Sequence, residues 1–420
     1  GKWGLRIYLA DKGWIECMAE ERLELFSWHN LAFSFDKNVV SLYKDGELAL
    51  AETVSQEENT YVSTEDNRLL IGRNTFNQKG NYCDYNGFAG AMDELRVFSE
   101  APTLERQREL YENVTKKSGH PACDYAMLAY PANYLSDDIY RMSYHAAPNL
   151  NWVSDMCGGF YYNGKYHIFF QKNDTGPYFR SFSWGHMVSD DMVVWKEVQP
   201  AIWPSEGSYD DIYTFSGCGF LDAEGKPYLV YTGISDLGEL CNLLMARPKD
   251  LSDENLTQWE KLDVRLTLPQ GYNKQQFRDP YVYTEDGVAY LIAVTQTSGG
   301  NPCIVGWKAP LDQVTKWEFC GTVFEMNKNE SGIAGGMWEL PQMYKLTGAE
   351  GTVKYMFTMT PVPEDGIVNN CMHWIWIALS LNRRAGKPGC WIRAMIICAP
   401  GPVLWIRFQE KIFPLLWLNV

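Results

Sequence analysis

Three acidic residues of this chain lie in short strings that combine a carboxylate with Trp, Arg or Pro. The strings are Trp152-Val-Ser-Asp155, Arg278-Asp279-Pro280 and Trp338-Glu339-Leu-Pro341. Carboxylates in unlike environments can divide proton transfer and nucleophilic attack between them, because burial and neighbouring charges separate their pKa values. Each string also has a structural explanation, namely a turn aspartate, an ion pair or a tryptophan of the core.

The composition predicts a folded chain rich in β-structure. The 420 residues exceed one ordinary core, so two domains are expected. The chain is 46% hydrophobic and 14% aromatic, which favours pleated strands over disorder. Eleven cysteines are scattered singly without a CxxC pair, so we interpret them as small buried apolar residues rather than as disulfide or zinc ligands.

The formal charge of −15 argues against nucleic acid and anionic membrane surfaces as partners, whereas a neutral sugar meets no such repulsion. The sequence contains no run of eighteen apolar residues, so it predicts no membrane span. The chain begins at Gly1 without a charged region followed by an apolar stretch, so we expect either cleavage of an upstream signal peptide or a fragment.

Residues 1–112 alternate apolar and polar positions in short runs separated by turn signals, as antiparallel strands do. Strands are predicted at residues 31–35 and 40–43, and residues 87–98 are interpreted as another strand pair. A helical pattern over 103–111 follows, with a threonine in the capping position.

Parts of this segment resemble a laminin-G or concanavalin-like domain. They are Trp28-His29 and residues 42–46, 71–73 and 90–98. The resemblance implies a jelly-roll sandwich over residues 1–112, with its first strands before Gly1. Such domains bind glycans or act as spacers, and both roles stay open. Residues 113–140 are interpreted as a linker.

The second half of the chain contains short predicted strands at residues 161–162, 165–170, 228–231, 289–293 and 353–357. Turn dipeptides separate them, namely Asn163-Gly164, Glu224-Gly225 and Asp286-Gly287. Repeated hairpins at this spacing are typical of a sandwich or a propeller, and periodicity does not choose between the two.

Five strings in this half resemble, in order, the blocks of glycoside hydrolase family 32. Residues 145–158 are similar to its Trp-Met-Asn-Asp-Pro-Asn-Gly block. The other four are Trp184-Gly-His186, Phe215-Ser-Gly217, Arg278-Asp-Pro280 and Trp338-Glu-Leu-Pro341. The resemblance implies a five-bladed β-propeller over residues 141–372 and activity on β-fructofuranosides of the sucrose, levan or inulin type. The expected partner is an oligo- or polysaccharide, with no metal and no cofactor.

The resemblance also gives each carboxylate a role in a retaining glycosidase, whose nucleophile and acid/base lie roughly 5–5.5 Å apart. Asp155, expected in a rigid turn flanked by glycine, is the nucleophile. Glu339 is the acid/base, and a packed Trp338 is expected to raise its pKa. Asp279 is expected to hold sugar hydroxyls in the transition state. Arg278 is expected to keep Asp279 ionised and to donate to a sugar oxygen or a neighbouring carboxylate.

Four further residues are candidates for binding the substrate. Gln171 ends a predicted strand where the family usually places a sugar-binding glutamine. Trp152 and Phe215 are expected to form apolar walls against a furanose ring, and Ser216 is expected to donate to a hydroxyl. We interpret His186 as a structural histidine.

The opening block departs from the family pattern. Ser154, Met156 and Cys157 stand where the family usually has Asn, Pro and Asn. We expect altered specificity, a divergent subfamily or impaired activity from these changes.

The last part of the chain is unusual in composition. After Asp365 it contains one acidic residue, Glu410, but five tryptophans and three cysteines. We interpret residues 373–420 as an anomalous tail, caused by a reading-frame error or truncation beyond about residue 372, which leaves the propeller with about four blades. Sequencing of the source DNA tests this interpretation, and an intact frame that encodes the tail would contradict it.

Three other interpretations of function stay open. A fructosyltransferase would use the same residues with a sugar in place of water. A propeller glycosidase acting on arabinose or xylose also uses two Asp and one Glu, but the Trp-Gly-His and Trp-Glu-x-Pro blocks argue against it. An inactive carbohydrate-binding homologue would explain the altered opening block but has no need of three carboxylates. The combination of domains predicts a secreted, cell-surface or periplasmic protein.

Overall fold

The computed structural model describes residues 3–9, 12–23, 28–56, 92–118, 138–142, 144–174, 176–177, 179, 182–205, 207–328, 336–347, 351, 353–362, 375–379, 394–398, 406–408 and 411–413. The chain divides into two compact units, Gly1–Arg141 and Met142–Val420. Each has its own buried apolar core. No helix of the described part is long and apolar enough to cross a membrane.

The first unit contains two small antiparallel sheets and one helix among its described residues. A hairpin joins β1 (Gly4–Leu9) to β2 (Gly13–Met18), and a meander joins β3 (Leu31–Asp36), β4 (Val39–Lys44) and β5 (Glu47–Thr53). These strands confirm the predictions for residues 31–35 and 40–43. Alternate residues such as Leu9, Cys17 and Leu42 are fully buried in a shared core.

Helix α1 (Leu104–Ser118) confirms the helical pattern predicted from residue 103. The Thr103 hydroxyl accepts a hydrogen bond from the Arg106 N–H at 3.2 Å, so Thr103 caps the helix as expected. The helix continues six residues beyond position 112, to Ser118.

The strand pair predicted over residues 87–98 is wrong for its described part. Residues 92–98 have no strand partner among the described residues, and Leu95 and Val97 are exposed. Alternation of apolar residues therefore builds no buried face here. Residues 71–73, part of the resemblance, lie outside the described residues.

The described residues of the second unit include four antiparallel sheets of four strands each, which we call blades 1 to 4. The strands of blade 1 are β6 (Val153–Tyr162), β7 (Lys165–Asn173), β8 (Phe182–Ser189) and β9 (Lys196–Ile202), and those of blade 2 are β10 (Tyr213–Leu221), β11 (Pro227–Ile234), β12 (Cys241–Pro248) and β13 (Trp259–Leu266). In each blade the strands follow one another in sequence order, and the first strands of successive blades pack together. This arrangement is that of a β-propeller.

Blades 3 and 4 repeat the same plan. Blade 3 contains β14 (Arg278–Glu285), β15 (Val288–Gln296), β16 (Pro302–Pro310) and β17 (Glu318–Glu325), and blade 4 contains β18 (Met337–Thr347), β19 (Val353–Val362), β20 (Ile375–Leu379) and β21 (Ala394–Cys398). The last two strands of blade 4 lie within residues 373–420. A short hairpin of β22 (Ile406–Phe408) and β23 (Lys411–Phe413) follows.

Apolar side chains fill the space between adjacent blades. Trp184 and Tyr231 belong to the cluster between blades 1 and 2, and Trp338 belongs to the cluster between blades 3 and 4. Burial on both faces explains why strands such as β8 are buried along their whole length. Trp184 and Trp338 are therefore core residues. This is the structural explanation of a tryptophan in such a string.

The turns and cysteines agree with the sequence analysis. Asn163, Asp286 and Asp45 adopt left-handed backbone angles before a glycine, as Asn-Gly and Asp-Gly hairpin turns require. Of the six cysteines whose side chains are described, five are buried free thiols, which confirms that they pack as small apolar residues, and Cys320 is exposed.

Candidate active site

The candidate active site lies where the first strand of every blade is interrupted by a β-bulge. The regular pairing shifts between Val153 and Met156 in β6 and between Phe215 and Gly217 in β10. It shifts again between Arg278 and Tyr281 in β14 and between Glu339 and Gln342 in β18. A bulge inserts an extra residue into one strand and re-aims side chains, so it is a means of turning polar groups out of an apolar sheet.

The sequence explains two of these bulges. Pro280 and Pro341 lie within the shifts of β14 and β18 and have no N–H to donate to a neighbouring strand. The residues before them, Asp279 and Leu340, have φ angles of 57° and 50°, in the left-handed region that non-glycine residues seldom adopt. The Leu340 N–H donates to Asp279 Oδ2 at 3.0 Å, so a hydrogen bond joins the two strained positions.

Asp155 lies in β6 and not in a turn, so the prediction of a glycine-flanked turn is wrong. The local change of direction at Asp155 comes from the bulge between Val153 and Met156. Ser154 Oγ donates to Asp155 Oδ1 at 3.1 Å, and Ser216 Oγ donates to Asp155 Oδ2 at 2.7 Å. Both carboxylate oxygens are thereby held in place.

Gln171 and Ser216 are brought together beside Asp155. Gln171 Nε2 donates to Ser216 Oγ at 2.8 Å, which leaves the serine hydrogen for Asp155. Both side chains are buried, with 5% and 1% of their surface exposed. Of the two predicted sugar-binding residues, Ser216 contacts Asp155 directly and Gln171 contacts Ser216.

Asp279 is buried at the start of β14. Burial raises the pKa of Asp279 to about 7; Arg278 and the Leu340 N–H lower it, and the charges of Glu339 and Asp155 raise it further. Arg278 lowers the pKa of Asp279, as expected, but the loss of hydration raises it by more, so the net shift is upward. Arg278 lies beside both Asp279 and Glu339, and the charges of Glu339 and Asp155 both raise the pKa of Asp279, as expected of three neighbouring carboxylates.

Arg278 is directed mainly at Glu339. Its Nη2 donates to Glu339 Oε1 at 2.9 Å, whereas its Nε lies 4.0 Å from Asp279 Oδ2. Nη1 donates to Gln276 Oε1 at 2.7 Å, which fixes the other side of the guanidinium. The Glu339 side chain is 40% exposed and the Arg278 side chain 16%, so the carboxylate is the more accessible member of this ion pair.

The rings of Trp152, Phe182 and Phe215 belong to one aromatic cluster. The Trp152 ring lies 5.2 Å from Phe179 and from Phe182, and Phe182 lies 5.4 Å from Phe215. Tyr213 stacks on Phe215 at 5.5 Å. The predicted wall residues Trp152 and Phe215 are thus linked through Phe182, which the sequence analysis did not select.

His186 is buried, as expected of a structural histidine, and its Nε2 lies 3.0 Å from His167 Nδ1. Burial lowers the pKa of His167 to about 4 and lowers that of His186 well below its usual value. Among the described residues no group of three His, Cys, Asp or Glu side chains is arranged to hold a metal ion.

Thr232 is a further residue of the site that the sequence analysis missed. It lies in β11 within an apolar strand, and its hydroxyl contacts the backbone of two bulges. A threonine in such a strand is unremarkable by itself. Only the pairing of β11 opposite the bulge of β10 reveals its position.

Comparison with known proteins agrees with the two units. The N-terminal domain of glycosyl hydrolases family 32 matches residues 145–382, and the concanavalin A-like lectin/glucanases superfamily matches residues 1–106. A cell wall isozyme of beta-fructofuranosidase from Zea mays is 32% identical over 224 residues, which cover 52% of this chain and 36% of the relative. Sucrose-6-phosphate hydrolase from Bacillus subtilis (strain 168) is 30% identical over 247 residues, covering 59% of this chain and 47% of the relative.

Among solved structures, fructan 1-exohydrolase IIa from Cichorium intybus superimposes with a TM-score of 0.46 at 23% identity, covering 57% of this chain and 53% of that chain. This chain thus spans about a third to a half of the length of the two sequence relatives. The family match covers more than half of the 420 residues and includes every residue of the candidate site. The chain belongs to glycosyl hydrolase family 32.

Proposed function

We propose that this chain hydrolyses β-fructofuranosides with retention of configuration, with Asp155 as nucleophile and Glu339 as acid/base. The observation that carries the proposal is the shared environment of three carboxylates from three blades, each at the bulge of a first strand. Family membership and the names of the relatives support fructosides as the substrate class.

In the first step, the Asp155 carboxylate attacks the anomeric carbon of the fructosyl unit. Glu339 gives its proton to the glycosidic oxygen, the carbon–oxygen bond breaks, and the remaining sugar leaves as an alcohol. The hydrogen bonds from Ser154 and Ser216 orient the attacking carboxylate.

In the second step, water attacks the same carbon of the fructosyl–Asp155 ester. Glu339 takes a proton from this water, and Asp155 leaves as a carboxylate. Arg278 occupies only Oε1 of Glu339 in its 2.9 Å contact, so Oε2 serves for the proton transfer. Two displacements on one carbon return the original configuration.

Asp279 and the aromatic wall would hold the sugar during both steps. Asp279 is buried, so its contacts with sugar hydroxyls would be stronger than in water. Trp152 and Phe215 present apolar ring surface. Such a surface suits the face of a furanose ring that carries C–H bonds.

The test is fructose release from sucrose, levan and inulin, measured for the parent chain and for Asp155→Asn and Glu339→Gln. We expect each substitution to reduce kcat by at least about a thousandfold, because each removes a group that acts in bond breaking. Asp190→Asn is the control, since Asp190 is an 80% exposed aspartate of the same unit and should keep parental activity.

The products separate the remaining alternatives. Magnetic resonance of the first-formed fructose reports the anomer, and inversion would contradict the assigned roles. Longer fructosyl sugars in place of free fructose would identify a transferase. A folded sample that binds these sugars without cleaving them would identify an inactive carbohydrate-binding protein.

We propose two further properties. The match of residues 1–106 to a lectin superfamily supports a glycan ligand for the first unit, which binding of insoluble fructan by the cleavage-deficient Asp155→Asn chain tests. The similarity to cell wall isozymes supports an extracellular location, which fractionation of the producing cells tests.

A further inference from the structure

We propose that Thr232 is a positioning residue that fixes the spacing of Asp155 and Asp279 by joining two bulged first strands through a single hydroxyl. This inference rests on the proposed function and adds a residue from outside the five matching strings. The evidence is the hydrogen bonding of Thr232 with Asp279 and Ser216.

The bulge of β10 leaves the carbonyl of Ser216 without a place in the regular ladder. Phe215 pairs with Thr232 and Gly217 pairs with Tyr231, so Ser216 is the inserted residue. Thr232 Oγ1 donates to the Ser216 carbonyl oxygen at 3.0 Å. The hydroxyl therefore replaces the missing ladder partner, and a buried carbonyl gains a hydrogen bond.

The bulge of β14 likewise leaves the N–H of Asp279 without a partner in the regular ladder. Arg278 pairs with Val294 and Tyr281 with Ile292, so Asp279 lies outside the ladder. The Asp279 N–H donates to Thr232 Oγ1 at 2.9 Å. Because Asp279 has a φ angle of 57°, its conformation persists only when surrounding bonds hold it.

One hydroxyl accordingly accepts from blade 3 and donates to blade 2. Thr232 and Ser216 have 0% and 1% of their surface exposed and Asp279 has 6%, so water offers no ready replacement. Ser216 also donates to Asp155 in blade 1, and Asp279 accepts from Leu340, the neighbour of Glu339 in blade 4. Thr232 is the middle member of a series of bonds that reaches Asp155, Asp279 and the backbone next to Glu339.

A side chain that can both accept and donate at this point is essential to the series. Valine has nearly the shape of threonine but neither function, so it would leave the Asp279 N–H and the Ser216 carbonyl unpaired. Serine keeps the hydroxyl and loses only a methyl group. The comparison of these two residues separates hydrogen bonding from packing.

The experiment measures kcat and KM for fructose release by the full chain and by Thr232→Val, Thr232→Ser and Thr232→Ala. We expect Thr232→Val and Thr232→Ala to lower kcat about 10- to 100-fold with KM changed less than about threefold, because the carboxylates lose their spacing. Thr232→Ser should remain within about threefold of the parent in both constants.

The matched control is Thr295→Val, in the second strand of blade 3. Thr295 is also fully buried, and its hydroxyl donates to the Asn273 carbonyl at 2.8 Å without contacting a carboxylate. It should lose stability as Thr232→Val does and keep its kcat. Assays run well below the unfolding midpoints of all variants.

Several outcomes would overturn the assignment. They are a parental kcat in folded Thr232→Val, a loss of kcat that Thr232→Ser shares, and an equal loss in Thr295→Val. A chain that folds only with a hydroxyl at position 232 would assign Thr232 to stability alone. Absence of fructose release from the folded parent would instead refute the proposed function. That failure is distinguishable from a failure of the inference about Thr232, which is judged from variants of an active parent.

Discussion

At the scale of single residues, Asp279 combines a strained backbone, deep burial and proximity to two other carboxylates. Each of these features opposes its negative charge or its conformation. The chain therefore gives up stability at this position, as proteins commonly do where a polar group must face a substrate. The cost should be visible in the dependence of stability on pH.

The substitution Asp279→Asn is expected to stabilise the fold above neutral pH. The folded pKa of about 7 exceeds the ordinary value of 3.8, so the folded chain keeps a proton that the unfolded chain releases. Its contribution is full below the ordinary value and is lost as the pH rises through about 7. Asparagine needs no proton, and we expect it to add about 1–3 kcal/mol to the free energy of unfolding at pH 8.

Thermal unfolding of the parent and of Asp279→Asn between pH 4.5 and 8 on a grid of about half a unit would measure this effect. The difference in midpoint should grow with pH, while fructose release is lost at every pH. Asp190→Asn, an exposed substitution, should show no such trend. A difference that is constant with pH would contradict the raised pKa.

Ser216→Ala should reduce kcat about tenfold, which corresponds to about 1.4 kcal/mol of transition-state stabilisation. Alanine removes the hydrogen bond to Asp155 Oδ2 and leaves Gln171 Nε2 without its acceptor. Stability should fall by about 1–2 kcal/mol as well. Kinetics and urea unfolding report the two effects.

Ser189→Ala serves as the control for Ser216→Ala. Ser189 is equally buried, but its hydroxyl contacts Asp191 and belongs to no part of the site. It should lower stability alone. If Ser216→Ala retains parental kcat, the orientation of Asp155 does not depend on the serine.

At the scale of elements, the four first strands divide the work of the propeller between regular pairing and bulges. Along most of their length they pair and pack as ordinary strands. At one end each breaks its register and presents polar groups to its neighbours. Blade 2 supplies none of the three carboxylates. It supplies Ser216 and Thr232, which hydrogen-bond to Asp155 and Asp279 of the other blades and position them.

Gly217→Ala tests how closely the bulge of β10 approaches the next strand. A Cβ at position 217 would lie 2.0 Å from the Val230 carbonyl oxygen and 2.7 Å from the Tyr231 Cα. Both are backbone atoms, so the strands must separate, and we expect a loss of about 3 kcal/mol or more. Chemical unfolding of Gly217→Ala measures this loss. Gly299→Ala is the control, because a Cβ at position 299 meets only the Thr297 hydroxyl at 3.7 Å. Similar midpoints for the two variants would contradict the close approach.

Sequence reasoning succeeded for features encoded locally and failed where partners are distant along the chain. Turn dipeptides such as Asn163-Gly164 and the cap at Thr103 depend on neighbouring residues, so they were predictable. The bulges depend on register against another strand, and β6 was accordingly misjudged as a turn at Asp155. The raised pKa of Asp279 was missed because the sequence shows the adjacent Arg278 but not the burial that outweighs it.

At the scale of the whole molecule, two kinds of buried titratable group oppose one another. Asp279 favours low pH, as its raised pKa requires. His167 and His186 favour higher pH, because burial lowers the pKa of both rings. The pair stacks within blade 1 against Phe160 and Phe169, so a positive charge there would disturb the core between blades 1 and 2.

Stability should therefore fall as the pH drops from about 6.5, where an unfolded histidine begins to bind protons, towards about 4. Replacement of both rings in His167→Gln/His186→Gln should flatten this slope, whatever its effect on the absolute midpoint. Calorimetry of the second unit's transition within the full chain measures the slope. An unchanged slope in the double variant would show that other groups cause the acid sensitivity.

Each matching string could be located from sequence, but their assembly into one site is a property of the whole propeller. Asp155, Asp279 and Glu339 are far apart along the chain, and the packing of β6 on β10, β10 on β14 and β14 on β18 brings them together. The family resemblance supplied that arrangement in advance. Local periodicity alone left a sandwich and a propeller equally open.

The bulges also suggest how such a site can be gained or lost during evolution. Alternate residues of a strand face opposite sides, so deletion of one inserted residue, such as Ser216, would restore a continuous ladder and turn every preceding side chain to the other face. A blade could thus change between a structural and a functional state by a single codon insertion or deletion. Small in-frame length changes, rather than substitutions, are then the mutations to look for when comparing active and inactive members of the lineage.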